Sequence, residues 1–452
     1  MQNKLVTVYI TNHNYGKYIN QSIDSVLKQS YSNIELIIID DGSNDNSRKI
    51  INNYRNRSNI KIIYQNKKGL TISNNIALKQ AKGFFFLRLD ADDYLDKNAI
   101  KILVNEFDNE KIGMVFGDWY IVNDQNEVIG IEKRHDFQNE VTLYDQPAHG
   151  ACTMFRTEYI KNIGGYDETL KMQDGYELWF RFIKKYKIKN INVPIFYYRK
   201  HGKSLSDKTN KLIKTRSSIY NQLSKKNNIK SSSSLAIFPI RGEKLDYRSK
   251  PFWKLNGKFL IDWSIEAFKK ANTVDKIIIC TPDKNIINYI KKNYNTTDVI
   301  SLRRPLNISY IGVNIIDTID FIDTKLDIIN NYDSFFLHSI EAPFIEYHLI
   351  ESALNILKIF DTDTVVSVKE ENRHIFKHSG KGMKPVNYSE GIIRYEREKW
   401  YVNVTGFLLR NMSDFRRTKR LIGSKVGHVL FDKKSSLVIE DMHDLEFAKS
   451  FL

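Results

Sequence analysis

The sequence predicts an α/β chain carrying two domains in tandem. Three observations predict it. Residues 5–89 alternate short apolar runs with segments of helical spacing, the serine run Ser231–Ser234 interrupts the chain, and a second alternation begins at Leu235. At 452 residues, with 42% hydrophobic and 12% aromatic side chains, the chain is long and apolar enough for two or three cores.

In order, Leu5–Thr11 reads as a strand, and Ile19–Ser30 as a helix with Ile19, Ile23, Val26 and Leu27 on one face. Glu35–Asp40 is a second strand. Asn44–Tyr54 is a helix with Ser43 or Asn44 as N-cap. Ile60–Tyr64 is a third strand, Thr71–Gln80 a third helix and Gly83–Leu89 a fourth strand. Helical crossovers of this length join parallel neighbours.

Ligands of such a sheet bind beyond the carboxyl ends of its strands. Asp40 and Asp41 end strand two, and Asp90, Asp92 and Asp93 end strand four, so both clusters fall on one edge. Taken alone, Phe84–Asp93 reads equally well as an acidic turn; the second cluster favours a site. Carboxylates so close repel unless a cation joins them, and Mg²⁺ or Mn²⁺ takes one or two protein carboxylates plus substrate phosphates. Asp40 suits the imide N–H of a uracil-type base, and Asp90 with Asp92 suits a ribose and a diphosphate-bound metal.

The net charge of +16 fits phosphate-bearing ligands, nucleic acid or an anionic membrane. No zinc-finger spacing or RNA-binding signature accompanies it, so no nucleic-acid partner is expected. Two distant cysteines, Cys152 and Cys280, fit a reducing compartment. The N-terminus lacks a signal-peptide pattern and no apolar run reaches the roughly 18–20 residues of a membrane span. The expectation is a cytoplasmic protein, with association at the inner face of the membrane left open.

Six stretches together resemble the inverting family-2 glycosyltransferases of GT-A fold, over about residues 5–205. They are Val8–Asn12, Asp40-Asp41-Gly42-Ser43-Asn44-Asp45, Leu89-Asp90-Ala91-Asp92-Asp93, Gly164–Glu168, Tyr176–Arg181 and Tyr198–His201. The resemblance implies a nucleotide-diphosphate sugar donor and a glycan or lipid-linked acceptor in surface polysaccharide biosynthesis. It implies donor contacts at Thr11, Asn12, Asp40, Asp41, Asp90 and Lys67, and Mg²⁺ or Mn²⁺ at the DXD motif through Asp92 and His201. Where the family often has Glu-Asp directly before Tyr-Glu-Leu-Trp, this chain has Gln173-Asp174-Gly175. Asp174 is then the general base that deprotonates the acceptor hydroxyl, and Glu177 a structural helix residue. Asn74 stands where the family usually has Arg, with Lys67 and Lys68 nearby.

Lys203–Ser234 is basic, with Leu205, Leu212, Ile219 and Leu223 at helical intervals. It reads as a helix capping the catalytic domain with a solvated charged face, or as one lying on anionic lipid. Loops within Gly117–Gly150 are expected to choose donor sugar and acceptor. The expected division is 1–205, a basic helix and linker at 206–234, and 235–452.

In the second half, strands are expected at Leu235–Ile240, Lys276–Thr281, Asp333–His338 and Thr364–Val368, and a helix at Ile261–Lys270. Pro239-Ile240-Arg241-Gly242, Lys250, Leu255-Asn256-Gly257-Lys258, Arg304-Pro305, Ser367-Val368 and Ile439-Glu440-Asp441 with Asp444 resemble the acylneuraminate (CMP-sialic acid) cytidylyltransferases. That resemblance implies a second nucleotide-binding, Rossmann-like domain, a CTP site at Arg241, Gly242, Lys244 and Lys250, and a homodimer through this half. Glu243 lies where the phosphates would, and His338–Phe344 replaces a family stretch. The expectation is therefore a degenerate or regulatory domain. The alternatives are a bifunctional transferase and CMP-nonulosonic-acid synthetase, and a non-catalytic nucleotide-sugar-binding scaffold.

Overall fold

The computed structural model describes residues 3–108, 110–133, 147–201, 209–226, 232–294, 296–371, 373–386 and 400–452. Leu205, Ser231 and residues 134–146 of the expected specificity loops lie outside the described residues. The chain divides into two compact units, one holding the described residues up to His201 and the other those from Thr209 onward.

In the first unit, strands β1 (Val6–Asn12), β2 (Ile34–Asp41), β3 (Ile60–Gln65) and β4 (Phe85–Asp90) run parallel. Helices α1 (Ile19–Leu27), α2 (Ser47–Asn52) and α3 (Leu70–Gln80) join them. Then come β5 (Tyr94–Leu95), α4 (Ala99–Asn105), β6 (Ile112–Val122), β7 (Val128–Glu132), β8 (Met154–Arg156), α5 (Thr157–Asn162), α6 (Asp174–Ile183) and β9 (Lys187–Arg199). The sheet order is β3-β2-β1-β4-β8-β6-β9-β5, with β7 on β6. Only the first four strands form the expected parallel sheet; β8 runs antiparallel to β4 and β6.

Alternate side chains feed two cores, because successive strand residues point to opposite faces. Val6, Val8 and Ile10 pack with Ile19, Ile23 and Val26 of α1, while Tyr9, Ile37 and Ile39 pack with Ala77 and Leu78 of α3 and Trp179 of α6. Burial on both faces explains the continuous apolar runs of β2 and β4. Helix α2 is shorter than expected and starts after Asn46 without a side-chain cap. Ser43 does not cap it: its Oγ accepts from Asn12 and from the Asn14 amide instead. Gly117, expected in a loop, lies inside β6.

The second unit has a seven-stranded sheet. Its order is Val299–Arg303, Lys276–Thr281, Ser234–Pro239, Ser334–His338, Trp400–Asn411, Thr364–Glu371, Val426–Leu430. The first four strands are parallel and Trp400–Asn411 runs antiparallel to both neighbours. The chain leaves central Ser234–Pro239 toward one edge and returns on its other side at Ser334–His338, which creates a switch-point crevice. Ser234, expected in the linker, is a fully buried strand residue. The basic segment forms helix Thr209–Lys226, which packs on Tyr347–Ile359 within the second unit. Ser217 donates to the His348 carbonyl at 2.9 Å, and Ile219 and Leu223 are buried. Among the described residues no helix is long and apolar enough to cross a membrane.

Candidate active site

Register alone brings the acidic clusters together. At the end of β1, Asn12 stands opposite Asp40 of β2 and Thr11 opposite Asp90 of β4. The Asp40 carboxylate, fully buried, accepts from Asn12 Nδ2 at 3.0 Å, Arg48 Nε at 2.8 Å and the Ser43 amide at 3.2 Å. Burial pushes its pKa up, but the bonds from Ser43, Arg48 and Asn12 outweigh that and hold it below the usual carboxylate range. Asn12 Oδ1 is buried without a partner.

Asp41 is engaged by the chain itself. It accepts from the Lys68 amide at 2.7 Å, the Gly69 amide at 2.8 Å and Gln65 Nε2 at 2.7 Å, which braces the loop ahead of α3. Gly42 takes φ +73°, and a Cβ there would stand 2.7 Å from the Lys67 amide, so only glycine fits between the two loops. Lys67 itself is exposed, with Nζ 2.8 Å from His13 Nε2.

Beyond β4, buried Arg199 moulds the acidic turn. Its amide donates to Asp93 Oδ1 at 2.9 Å and its Nε to the Asp92 carbonyl at 2.9 Å. Its Nη atoms reach the Asn123 carbonyl, Gln21 and Asn126. Asp93, shut away by this turn, has its carboxyl pushed well above the usual range by burial and by the Asp92 and Asp90 charges. His201 Nε2 lies 3.0 Å from Asp92 Oδ2, with the Tyr15 and Tyr18 rings against it. Among the described residues no three His, Cys, Asp or Glu side chains form a complete metal cage. The pair offers one carboxylate, from Asp92, and one imidazole nitrogen, from His201; Mg²⁺ or Mn²⁺ would draw its remaining oxygen ligands from substrate phosphates and water.

Asp174 opens α6, after Gln173 in a left-handed conformation (φ 61°). Its Oδ2 accepts from Asn74 Nδ2 at 2.9 Å and Arg88 Nη1 at 2.8 Å. The same guanidinium forks onto Asp90, Nε to Oδ1 at 2.6 Å and Nη2 to Oδ2 at 3.1 Å. One buried arginine therefore ties the predicted base to the first residue of the DXD motif. Beside Asp174 a shallow recess with room for about one water is lined by His149, Gly150, Thr153, Tyr166, Gly175 and Trp179 among others.

Residues 7–164 match the family model described as Glycosyl transferase family 2. Within this matched region lie Asp40, Arg88, Asp90 and Asp92; Asp174, Arg199 and His201 follow it. The chain is 28% identical over 207 residues to a chondroitin synthase of Pasteurella multocida, covering 45% of this chain and 21% of that protein. It is 34% identical over 119 residues to glycosyltransferase GlyG of Streptococcus pneumoniae, covering 26% of this chain and 40% of the relative. The chain thus spans well under two thirds of the relatives it matches. Residues 1–349 of TarS from S. aureus, solved with UDP-GlcNAc, align with a TM-score of 0.42 at 24% identity, over 49% of this chain and 66% of that one.

The reading of strand Phe85–Asp90 missed Arg88. A signal was there: in a strand, residues two apart share a face, so Arg88 and Asp90 point the same way. Asn74, noted only as a missing cation, donates to Asp174. Glu177 is structural as expected, bound by Arg181, which also holds the Ile163 and Gly165 carbonyls.

In the second unit the expected triphosphate loop is closed on itself. The Gly242 amide donates to Ser249 Oγ at 3.2 Å, Lys250 Nζ lies 3.5 Å from Glu243, and Arg241 lies 3.6 Å from Asp246. Lys244 is exposed on the turn. Arg304, 2% exposed, bonds Ser309 Oγ and Thr318 Oγ1, and its Nη2 has no partner.

Proposed function

We propose that the first unit transfers a sugar from a nucleotide-diphosphate donor to a hydroxyl of a glycan or lipid-linked acceptor, with inversion, in surface polysaccharide synthesis. The convergence of Asp40, Asp90, Asp92 and Asp174 at the end of β1 and the adjoining start of α6 carries this reading. Asp40, held ionised, accepts from the base of the nucleotide, with Thr11 and Asn12 beside it. Asp41 shapes the Lys67–Gly69 loop that borders the nucleotide, and Asp90 accepts from the ribose. Asp92 and His201 would hold Mg²⁺ or Mn²⁺, which when bound neutralises charge on the leaving diphosphate. Asp174 takes the proton of the acceptor hydroxyl as its oxygen attacks the anomeric carbon, opposite the departing diphosphate. Nucleotide sugars incubated with the chain and Mn²⁺ test this. Release of nucleotide diphosphate by the wild type, lost in Asp174→Asn and Asp92→Asn, supports the reading; release undiminished in both overturns it.

Buried Arg304, with no carboxylate against it and Arg241 nearby, favours a second reading in which the other unit also binds an anion. The closed Gly242–Ser249 loop favours a single oxyanion over a triphosphate. Thermal shift of the whole chain with CTP, CMP and inorganic phosphate tests it, since a ligand that binds only the folded state raises its stability. No shift of the second unit's transition with any of the three removes the reading.

A further inference from the structure

Asp90 and Asp174 come from different elements, and among the described residues Arg88 alone bonds both. Arg88 is 6% exposed and uses Nε and Nη2 on Asp90 and Nη1 on Asp174. With Asn74 on the same Oδ2, Asp174 is held at one oxygen, and Oδ1 has no hydrogen-bond partner among the described residues. Space around the guanidinium is tight: a Cβ on Gly150 would lie 3.1 Å from Arg88 Nη1. The other titratable groups facing Asp174 are Tyr9 of β1 and Tyr166 of the loop before α6, joined hydroxyl to hydroxyl at 3.0 Å. Burial raises both phenols, Tyr166 to about 12, so they are neutral while a carboxylate titrates. His149 lines the recess alongside.

A buried carboxylate without a cation drifts toward its neutral form. We infer that Arg88 is the positioning residue of the transfer reaction. It fixes the Asp174 carboxylate through Oδ2, turns Oδ1 toward the acceptor, and sets its place relative to the donor-side carboxylate Asp90. This rests on the reading of Asp174 as general base. Arg88 itself touches no reacting atom.

The test is the pH dependence of Mn²⁺-dependent turnover, with water as acceptor and whichever nucleotide sugar the donor assay selects. Arg88→Met is expected to move the acid limb up, because removing a buried cation disfavours the charged form of a carboxylate that faced it. It should also lower kcat by about 100-fold, and donor KM should rise because Asp90 loses both bonds of the fork. Arg88→Lys should keep the limb but lose about 10-fold in kcat, since one ammonium cannot reproduce the fork. Gly150→Ala, which crowds Nη1 without a strained φ, should lower kcat in the same direction. Folding is checked by the thermal midpoint. If Arg88→Met does not fold, the other two variants decide, and wild-type kcat in both overturns the inference. A folded Arg88→Met with a wild-type limb and kcat, alongside an inactive Asp174→Asn, overturns the Arg88 role alone. An active Asp174→Asn overturns the base and the inference together.

Discussion

Asn12 faces Asp40 across β1 and β2, and its amide donates to that carboxylate at 3.0 Å in a fully buried setting. Asn12→Ala therefore strips a donor from a buried anion and is expected to cost about 1–3 kcal/mol. Calorimetry of the first unit's transition checks it.

Asp40 also sets an acid response. Its folded pKa lies below the ordinary value, so its stabilisation is present above the unfolded carboxylate value of about 3.9. It is lost as pH falls through the folded value. Asp40→Asn should flatten the loss of stability of this unit below about pH 4, as read from thermal midpoints against pH.

Gly42 sits at φ +73° against the Lys67 amide. Gly42→Ala should cost about 1–2 kcal/mol from the left-handed backbone alone. The clash should add to that and displace the loop that Asp41 braces, so donor KM is expected to rise. Thermal midpoint and donor titration measure the two effects separately.

His201 backs Asp92 at 3.0 Å between two tyrosine rings. His201→Gln is expected to raise the Mn²⁺ concentration for half-maximal turnover by about 10–100-fold. EDTA should abolish wild-type turnover and Mn²⁺ restore it; turnover insensitive to EDTA would remove the metal from the reading.

In the second unit, buried His338 lies among the Phe238 and Phe268 rings, and burial holds its pKa down at about 3. Its contribution is present above the unfolded value of about 6.5 and is lost as pH falls toward 3. His338→Phe should weaken the pH dependence of the second unit's melting over that interval, at the expense of the bond to Ser264.

Where local pattern dominates, the sequence was a sufficient guide. Both acidic clusters fall at the ends of adjacent buried strands, and buried parallel strands announce themselves as apolar runs. Asn46 as the start of α2 was not legible, because Ser43, the better cap by type, is drawn to Asn12 and Asn14 by tertiary contact. Nor was Arg88–Asp174, which depends on where α6 meets the sheet. The Gly242–Ser249 bond hid for a related reason: a glycine-and-cation loop looks open in sequence until its own hydroxyl closes it. The helix Thr209–Lys226 showed its apolar stripe, but a stripe does not name its partner.

Arg199 sets a lower limit on any excised catalytic fragment. A piece ending at residue 164, where the family-2 match stops, would carry both aspartate clusters in sequence yet lack the mould that shapes one of them. Without the β9 end, the Asp92 carbonyl and the Asp93 carboxyl lose the Arg199 donors that fix the turn. A fragment that keeps this turn therefore runs at least through Arg199, and truncations short of it should lose the Asp92–Asp93 geometry.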